Sequence, residues 1–381
     1  MIYLDNAATT YPKPESVYRA MDEANRKIGV NAGRGSYKAA REASALITNT
    51  KNEIRKIVNA NLSTAVVFSP SITIAMNQII NGIQWPEGSV VYVSPYEHNA
   101  VARTLKKASG DYNIKICMIP IKEGSLEIDI EKMKYDFSRN RPYAVFCTHV
   151  SNVTGYILPI KEIFEESKKY GAITVLDSAQ SLGLVEINTE LLNVDIVAFA
   201  GHKTLYGPFG IGGFINISGI ELSEFITGGT GSDSLNLDMP VGKESKFEAA
   251  SSNIVAIAGL YAAIESLDIN KDFKYEKEMT QYLIDRLKEN ANVHMYLPEN
   301  MDQHIGIVSF TFDGMNSDDI GTILDEDFDI AVRTGYHCAP YIHEYLKDKS
   351  SLGTIRIGIS KFNTKSDIDA LINALKEISE D

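Results

Sequence analysis

The chain has 381 residues, 44% of them hydrophobic and 23% charged, with a formal net charge of −13. That is enough for a large domain and a smaller one, and the acidic balance argues against nucleic acid or an acidic membrane as a partner. No apolar run reaches the length of a membrane span, the opening MIYLDNAATT lacks the order of a signal peptide, and Cys117, Cys147 and Cys338, with no CxxC, suit neither a disulfide framework nor a structural zinc site, so a reduced cytoplasmic protein is expected.

In chain order, a helical pattern runs from about Pro12 to Ile28 and a longer one from about Ser36 to Asn59. Seven short apolar runs then alternate with helical patterns: Ala65–Ser69, Ser89–Ser94, Ile114–Pro120, Tyr143–Val150, Ala172–Leu176, Ile196–Ala200 and Gly213–Ile217. Near-continuous apolar runs of this length fit strands buried on both faces. Their alternation with helices predicts an α/β fold with a mostly parallel sheet. From about Asp268 the pattern changes to a helix near Phe273–Asn290, strand-like runs at Gly306–Thr311, Ile330–Arg333 and Thr354–Ile359, and a last amphipathic helix near Lys365–Ile378. The expected division is a large unit over 12–267 and a small α+β unit made of 1–11 and 268–381.

Ligands of open α/β sheets bind at the carboxyl ends of the strands. Five predicted strands end on polar groups: Ser71 and Thr73, Glu97-His98, Ser151-Asn152, Asp177 to Gln180, and Gly201-His202-Lys203. Five such ends in one sheet suggest one site. Asp177 and Lys203 end consecutive strands. A carboxylate facing a pyridine nitrogen keeps it protonated, and a lysine amine forms an imine with an aldehyde. This pair is the protein's expected contribution to pyridoxal 5′-phosphate (PLP) chemistry. Taken singly, Asp177 reads as a helix N-cap, Lys203 as a surface lysine, and Ser71 and Thr73 as helix capping in competition with phosphate binding. Cys117, Cys147 and His149 read as buried structural residues.

At this point the sequence resembles the class V aminotransferase group of PLP fold type I, in particular cysteine desulfurases and selenocysteine lyases. The resemblance is carried by Tyr3-Leu4-Asp5-Asn6-Ala7-Ala8-Thr9-Thr10, Glu97-His98, Val150 to Gly155, Asp177-Ser178-Ala179-Gln180, Gly201-His202-Lys203 with Leu205 to Pro208, Phe247-Glu248-Ala249, and Arg333 to Ala339. It implies a seven-stranded sheet unit with a smaller C-terminal α+β unit. Lys203 resembles the Schiff-base lysine, Asp177 the partner of the ring nitrogen, Gln180 the donor to the ring hydroxyl and His98 the stacking histidine. Thr73 and His202 resemble phosphate ligands. Ser251 sits where a hydroxyl reaches the neighbouring subunit's phosphate, which implies a homodimer. Asn152 and Arg356 resemble the groups that hold the substrate carboxylate, a task suited to a guanidinium fork.

Cys338 resembles the group II thiolate that takes sulfur from L-cysteine as a persulfide and leaves L-alanine. Such a thiolate needs a mobile loop and nearby cations; Arg333 and His337 are the candidates, with Gly335 supplying loop freedom. The sequence departs from the pattern at Ala200 (usually serine), at Asn99, and in the stretches flanking Cys338, which bear on substrate and acceptor. Selenocysteine lyase activity, transamination, another β-elimination and an inactive scaffold are the competing readings. A sulfur- or selenium-acceptor protein is a further expected partner, although no patch in the sequence names it.

Overall fold

The computed structural model describes residues 1–33, 35–122, 125–231 and 235–380. The chain opens with strand β1 (Ile2–Tyr3) and the helices Glu15–Lys27 and Lys38–Ile57. Seven strands follow: β2 (Ala65–Ser69), β3 (Val90–Val93), β4 (Lys115–Met118), β5 (Ala144–Thr148), β6 (Ile173–Asp177), β7 (Ile196–Ala200) and β8 (Gly212–Asn216). They form one sheet in the order β2-β8-β7-β6-β5-β3-β4. Strands β3 to β7 are parallel, and only β8 runs antiparallel, to both β7 and β2. The α/β class and the mostly parallel seven-stranded sheet expected from the alternating pattern are thus present.

Successive strand residues face opposite sides of a sheet, and here both sides are covered. Val145 and Cys147 pack into one core with Ile54, Phe164 and Leu260. Ala144 and Phe146 pack into the other with Met76, Ile79 and Val101. Burial on both faces is why these strands read as unbroken apolar runs. Truncating a side chain such as the fully buried Phe146 to alanine is expected to cost about 3–5 kcal/mol. The outer edge of β2 is also covered. Its Val66 and Phe68 N–H groups donate to the carboxylates of Glu244 (2.9 Å) and Glu248 (2.7 Å), which buried Lys51 bridges. Unpaired edge groups that would template aggregation are thereby satisfied.

The C-terminal part builds two further sheets from β9 (Val293–Met295), β10 (Ile307–Phe312), β11 (Ile330–Ala331), β12 (Arg333–Gly335) and β13 (Thr354–Gly358). One is antiparallel in the order β12-β13-β10-β9, and the other pairs β1 with β11 in parallel. Leu4 of the N-terminal segment shares a core with Leu283, Val308, Ile355 and Leu371. The run Ile330–Arg333, expected as one strand, is two. The chain leaves β11 at Val332 and crosses to the other sheet, which sets Arg333 opposite Arg356. The two halves of that run find partners far apart in sequence, so no local pattern could divide them.

Candidate active site

The β3, β5, β6 and β7 strands run one way, and β2 shares their direction through antiparallel β8. All five carboxyl ends therefore lie along one edge of the sheet. Strand β4 lies outside β3 and β5 lies on its other side. The order in which strands are added reverses between β3 and β5, the crevice where open α/β sheets bind ligands.

Lys203 follows β7 by three residues. Its surface is only partly covered, yet protein atoms crowd around the amine, and this desolvation pushes its pKa down to about 8 against the pull of Asp177. The charges of Arg356 and Arg333 lower it further and Cys338 raises it, so all three, with Asp177, lie within electrostatic reach of the Lys203 amine. The N-terminal segment fixes the lysine's backbone. The His202 carbonyl accepts from Thr9 Oγ1 (3.0 Å), Thr10 N–H (3.2 Å) and Lys13 Nζ (2.6 Å), and the Lys203 carbonyl accepts from Thr10 Oγ1 (3.1 Å). Burial brings Lys13 itself down to about 7.

Asp177 closes β6 and is buried, which raises its carboxyl above the usual range, while Lys203 opposes that rise. One carboxylate oxygen accepts from the Ala179 N–H at 2.9 Å, so Asp177 caps a turn and no helix follows directly. Gln180 is buried, and its amide donates to the Ala7 carbonyl at 2.7 Å. His98 caps the helix Asn99–Asp111: its Nδ1 accepts from the Ala100 N–H at 3.0 Å, which leaves the proton on Nε2. Burial, then the charges of Lys203, Arg333, Arg356 and Arg103, depress it to about 4, so the ring is neutral at physiological pH. Beside it, buried Glu97 accepts from the Thr148 N–H at 2.6 Å, has no partner at Oε2 among the described residues, and is raised by burial to about 8.

The second half of the site comes from the small sheet. Arg356, on β13, is almost fully buried and holds three distant segments. It donates through one guanidinium nitrogen to Asp5 (2.7 Å) and through another to the Asn152 carbonyl (3.0 Å), while its Nε has no partner among the described residues. The Asn152 amide in turn donates to the His337 carbonyl at 2.7 Å, and the Asn99 N–H donates to the Cys338 carbonyl at 2.7 Å. Below the loop, His343 bridges the Tyr336 carbonyl (Nε2, 3.0 Å) and buried Asp348 (Nδ1, 2.5 Å). The backbone turns sharply, with φ of +90° at Gly335, +44° at His337 and +58° at Cys338. A left-handed conformation at two consecutive residues with Cβ atoms costs about 1–2 kcal/mol each; such strain persists where contacts on every side hold the chain. Gly353 belongs to the same packing, because a Cβ there would lie 2.4 Å from the Gly335 backbone. Cys338 itself is exposed.

One expectation needs correcting. His337 is not a cation beside the thiol. It is buried, its Nε2 contacts Thr354 Oγ1 at 2.8 Å, and desolvation drives its pKa far down, so Arg333 and Arg356 supply the local positive charge. The phosphate candidates are less closely gathered. Ser71 caps the helix Ile72–Gly82 by accepting from the Ile74 N–H (3.3 Å), and Thr73 is exposed in its first turn. His202 stacks on Phe209 at 4.7 Å, is lowered to about 3 by burial, and has no partner at Nδ1 among the described residues. Ser251 is exposed, and its hydroxyl accepts from Asn31 at 3.2 Å. Burial raises the thiols of Cys117 and Cys147 and lowers His149 to about 4, consistent with structural roles. The roles of Asp5, Lys13, His343 and Asp348 carried no sequence signal, since each acts through a partner distant in the chain or through a fold in the loop.

A PLP molecule suits this set. Buried Asp177 has one oxygen engaged by Ala179 and stands within reach of a cation. His202 Nδ1 is a buried polar atom lacking a partner among the described residues. Gly212 keeps the start of the Ile72–Gly82 helix clear, because a Cβ there would lie 3.0 Å from the Ile72 nitrogen. Free N–H groups at a helix start attract phosphate.

A lysine and an aspartate at the carboxyl edge of such a sheet, with a smaller sheet closing over them, define a PLP enzyme of fold type I. The chain belongs to the class V aminotransferase family, whose profile matches residues 2–371. It is 33% identical to a probable cysteine desulfurase of Halalkalibacterium halodurans, covering all of this chain and 93% of that one. It is 30% identical to another from Methanothermobacter thermautotrophicus, covering 99% and 94%. Among solved structures, an apo cysteine desulfurase from Thermococcus onnurineus superimposes with a TM-score of 0.91 at 28% identity, covering 99% of this chain and 94% of that one. A cysteine desulfurase from Escherichia coli superimposes with a TM-score of 0.86 at 25% identity, covering 100% and 94%. The family is PLP-dependent, in agreement with the cofactor read from Asp177 and Lys203.

Proposed function

We propose that this chain is a cysteine desulfurase, which takes sulfur from L-cysteine, releases L-alanine and holds the sulfur as a persulfide on Cys338. The observation that carries this reading is that a cofactor-type lysine and an exposed thiol act on each other's surroundings, with Arg356 feeling the charge of Cys338 and acting in turn on Lys203. The names of the relatives support the same substrate.

Bound in this site, PLP supplies an electron sink for charge released at the substrate's α-carbon. Lys203 holds the cofactor, and its amine, with a pKa near 8, gives and takes protons at that carbon. Asp177 keeps a proton on the ring nitrogen. His98, neutral and fixed by its Nδ1 contact, would be the residue that lies against the ring, and it keeps an Nε2 proton to offer. Gln180 orients the ring, and Ser71, Thr73 and His202 are assigned to the phosphate. Arg356 takes the substrate carboxylate on the side of its unpartnered Nε, with Arg333 adding charge and Asn152 aligning the loop. The Cys338 thiolate attacks the substrate's sulfur. An S–S bond forms, the substrate's C–S bond breaks with its electron pair going to carbon, and a proton completes alanine.

We assign 12–267 to the cofactor unit and 1–11 with 268–381 to the smaller unit, whose shared core includes Leu4 and Leu371. A homodimer is supported by the segment that leaves Leu235, Leu237 and Val241 about fully exposed, and in it Ser251 would be the hydroxyl offered to the partner's phosphate. Three free cysteines and the absence, among the described residues, of a helix able to cross a membrane support a reducing, cytoplasmic setting. The test compares wild type with two variants. Lys203→Ala is expected to lose the visible absorbance of bound PLP and turnover by about 10³-fold or more. Cys338→Ser is expected to keep the absorbance and lose sulfide release from L-cysteine. Full release by Cys338→Ser overturns the persulfide route in favour of direct elimination. Loss confined to L-cysteine, with L-selenocysteine still turned over, favours the lyase reading.

A further inference from the structure

The outer side of Cys338 opens onto a groove of about 650 Å³ that the chemistry above leaves unused. One wall is the helix Asn99–Asp111 and the other is the segment after Cys338. Tyr336, 44% exposed, and half-buried Tyr341 supply apolar faces. Arg103 and Lys106, one helical turn apart, and Lys349 opposite supply charge. All three are exposed, and none has an ion-pair partner among the described residues. Among the described residues, Glu344 is the single carboxylate lining the groove. On a chain with a net charge of −13, this is a local excess of positive charge beside the reactive thiol.

We propose that this groove binds the sulfur acceptor, and that the acceptor is a small thiol of peptide size bearing two or more carboxylates. The proposal rests on the persulfide reading above. The volume suits a small molecule, the three cations suit carboxylates, and the tyrosines cover an apolar stem. The acceptor's thiolate attacks the outer sulfur of Cys338–S–SH. A new S–S bond forms on the acceptor, the enzyme's S–S bond breaks, and Cys338 leaves as thiolate with the electron pair. The product is an acceptor persulfide, and no external oxidant or reductant enters.

In the test, holoenzyme is loaded with L-cysteine, its Cys338 persulfide is quantified by mass, and mercaptosuccinate or cysteamine is added. Rates are expressed per loaded subunit and per thiolate. Mercaptosuccinate is expected to react about tenfold faster than cysteamine, the effect of two exposed charge pairs. That preference should vanish in Lys106→Ala/Lys349→Ala, return in Lys106→Arg/Lys349→Arg, and fade at about 1 M salt. Equal rates with wild type, or a preference untouched in the alanine variant, overturn the proposal. Failure of wild type to load a persulfide at all sinks the desulfurase reading instead.

Discussion

Around Lys203 the backbone is anchored by contacts from Thr9, Thr10 and Lys13, and the catalytic side chains hang from strand ends that are buried on both faces. Around Cys338 the backbone adopts two consecutive left-handed residues, the thiol faces solvent, and the support comes from a loop that folds back on itself through His343 and Asp348. The two halves have different tasks. An amine tuned to about 8 needs a fixed, poorly hydrated surrounding. A thiol that takes sulfur inside and passes it outside needs exposure and a shape that reaches both ways. Arg356 joins them, since it holds Asp5 and Asn152 at once.

Among changes that probe the link between the two halves, the largest effect should come from breaking that joint. Arg356→Lys keeps one charge and removes the fork. The expected result is a fall of about 10- to 100-fold in kcat/KM for L-cysteine, carried mainly by KM, from the loss of charged hydrogen bonds. An unchanged KM would make Arg356 a brace without a role in substrate binding. Next, His343→Ala leaves buried Asp348 without its imidazole partner and frees the Tyr336 carbonyl. A stability loss of about 2 kcal/mol by thermal or urea unfolding is expected, together with slower sulfide release and unaltered PLP absorbance. Loss of the absorbance as well would mean that the two halves behave as one unit.

The smallest effect is a displaced pH midpoint. Only the neutral amine attacks an aldehyde, and burial lowers the pKa of Lys203, so the neutral form appears at lower pH. Capture of PLP by apoprotein should rise with pH through about 8, where an ordinary lysine would rise near 10.5. A midpoint near 10.5 in stopped-flow absorbance would show that Lys203 is solvated like a surface lysine.

Much of the large sheet was legible because its information is local. β2 and β7 match the expected apolar runs residue for residue, and the other five strands differ by a few residues at their ends. The helix Ile254–Glu265 was not legible, because it is apolar all round and buried and so has no polar stripe to read. Three-residue β9 was too short to carry a period. In the site, Asp177, Lys203 and Cys338 announced themselves through position and motif. The charge state of His337 did not, because it depends on burial beneath a loop whose shape is set elsewhere.

The sequence alone thus determined the alternation of strand and helix, the five polar strand ends, the lysine–aspartate pair and the cysteine motif. These follow from residue type and short spacing. Only the tertiary structure decided that β8 runs antiparallel, that Ile330–Arg333 divides between two sheets, that Asp5 grips Arg356, and that Arg103, Lys106 and Lys349 surround the outer face of Cys338. Those features depend on which distant segments meet and which groups lose water when they do. Neither is encoded in any single stretch of chain.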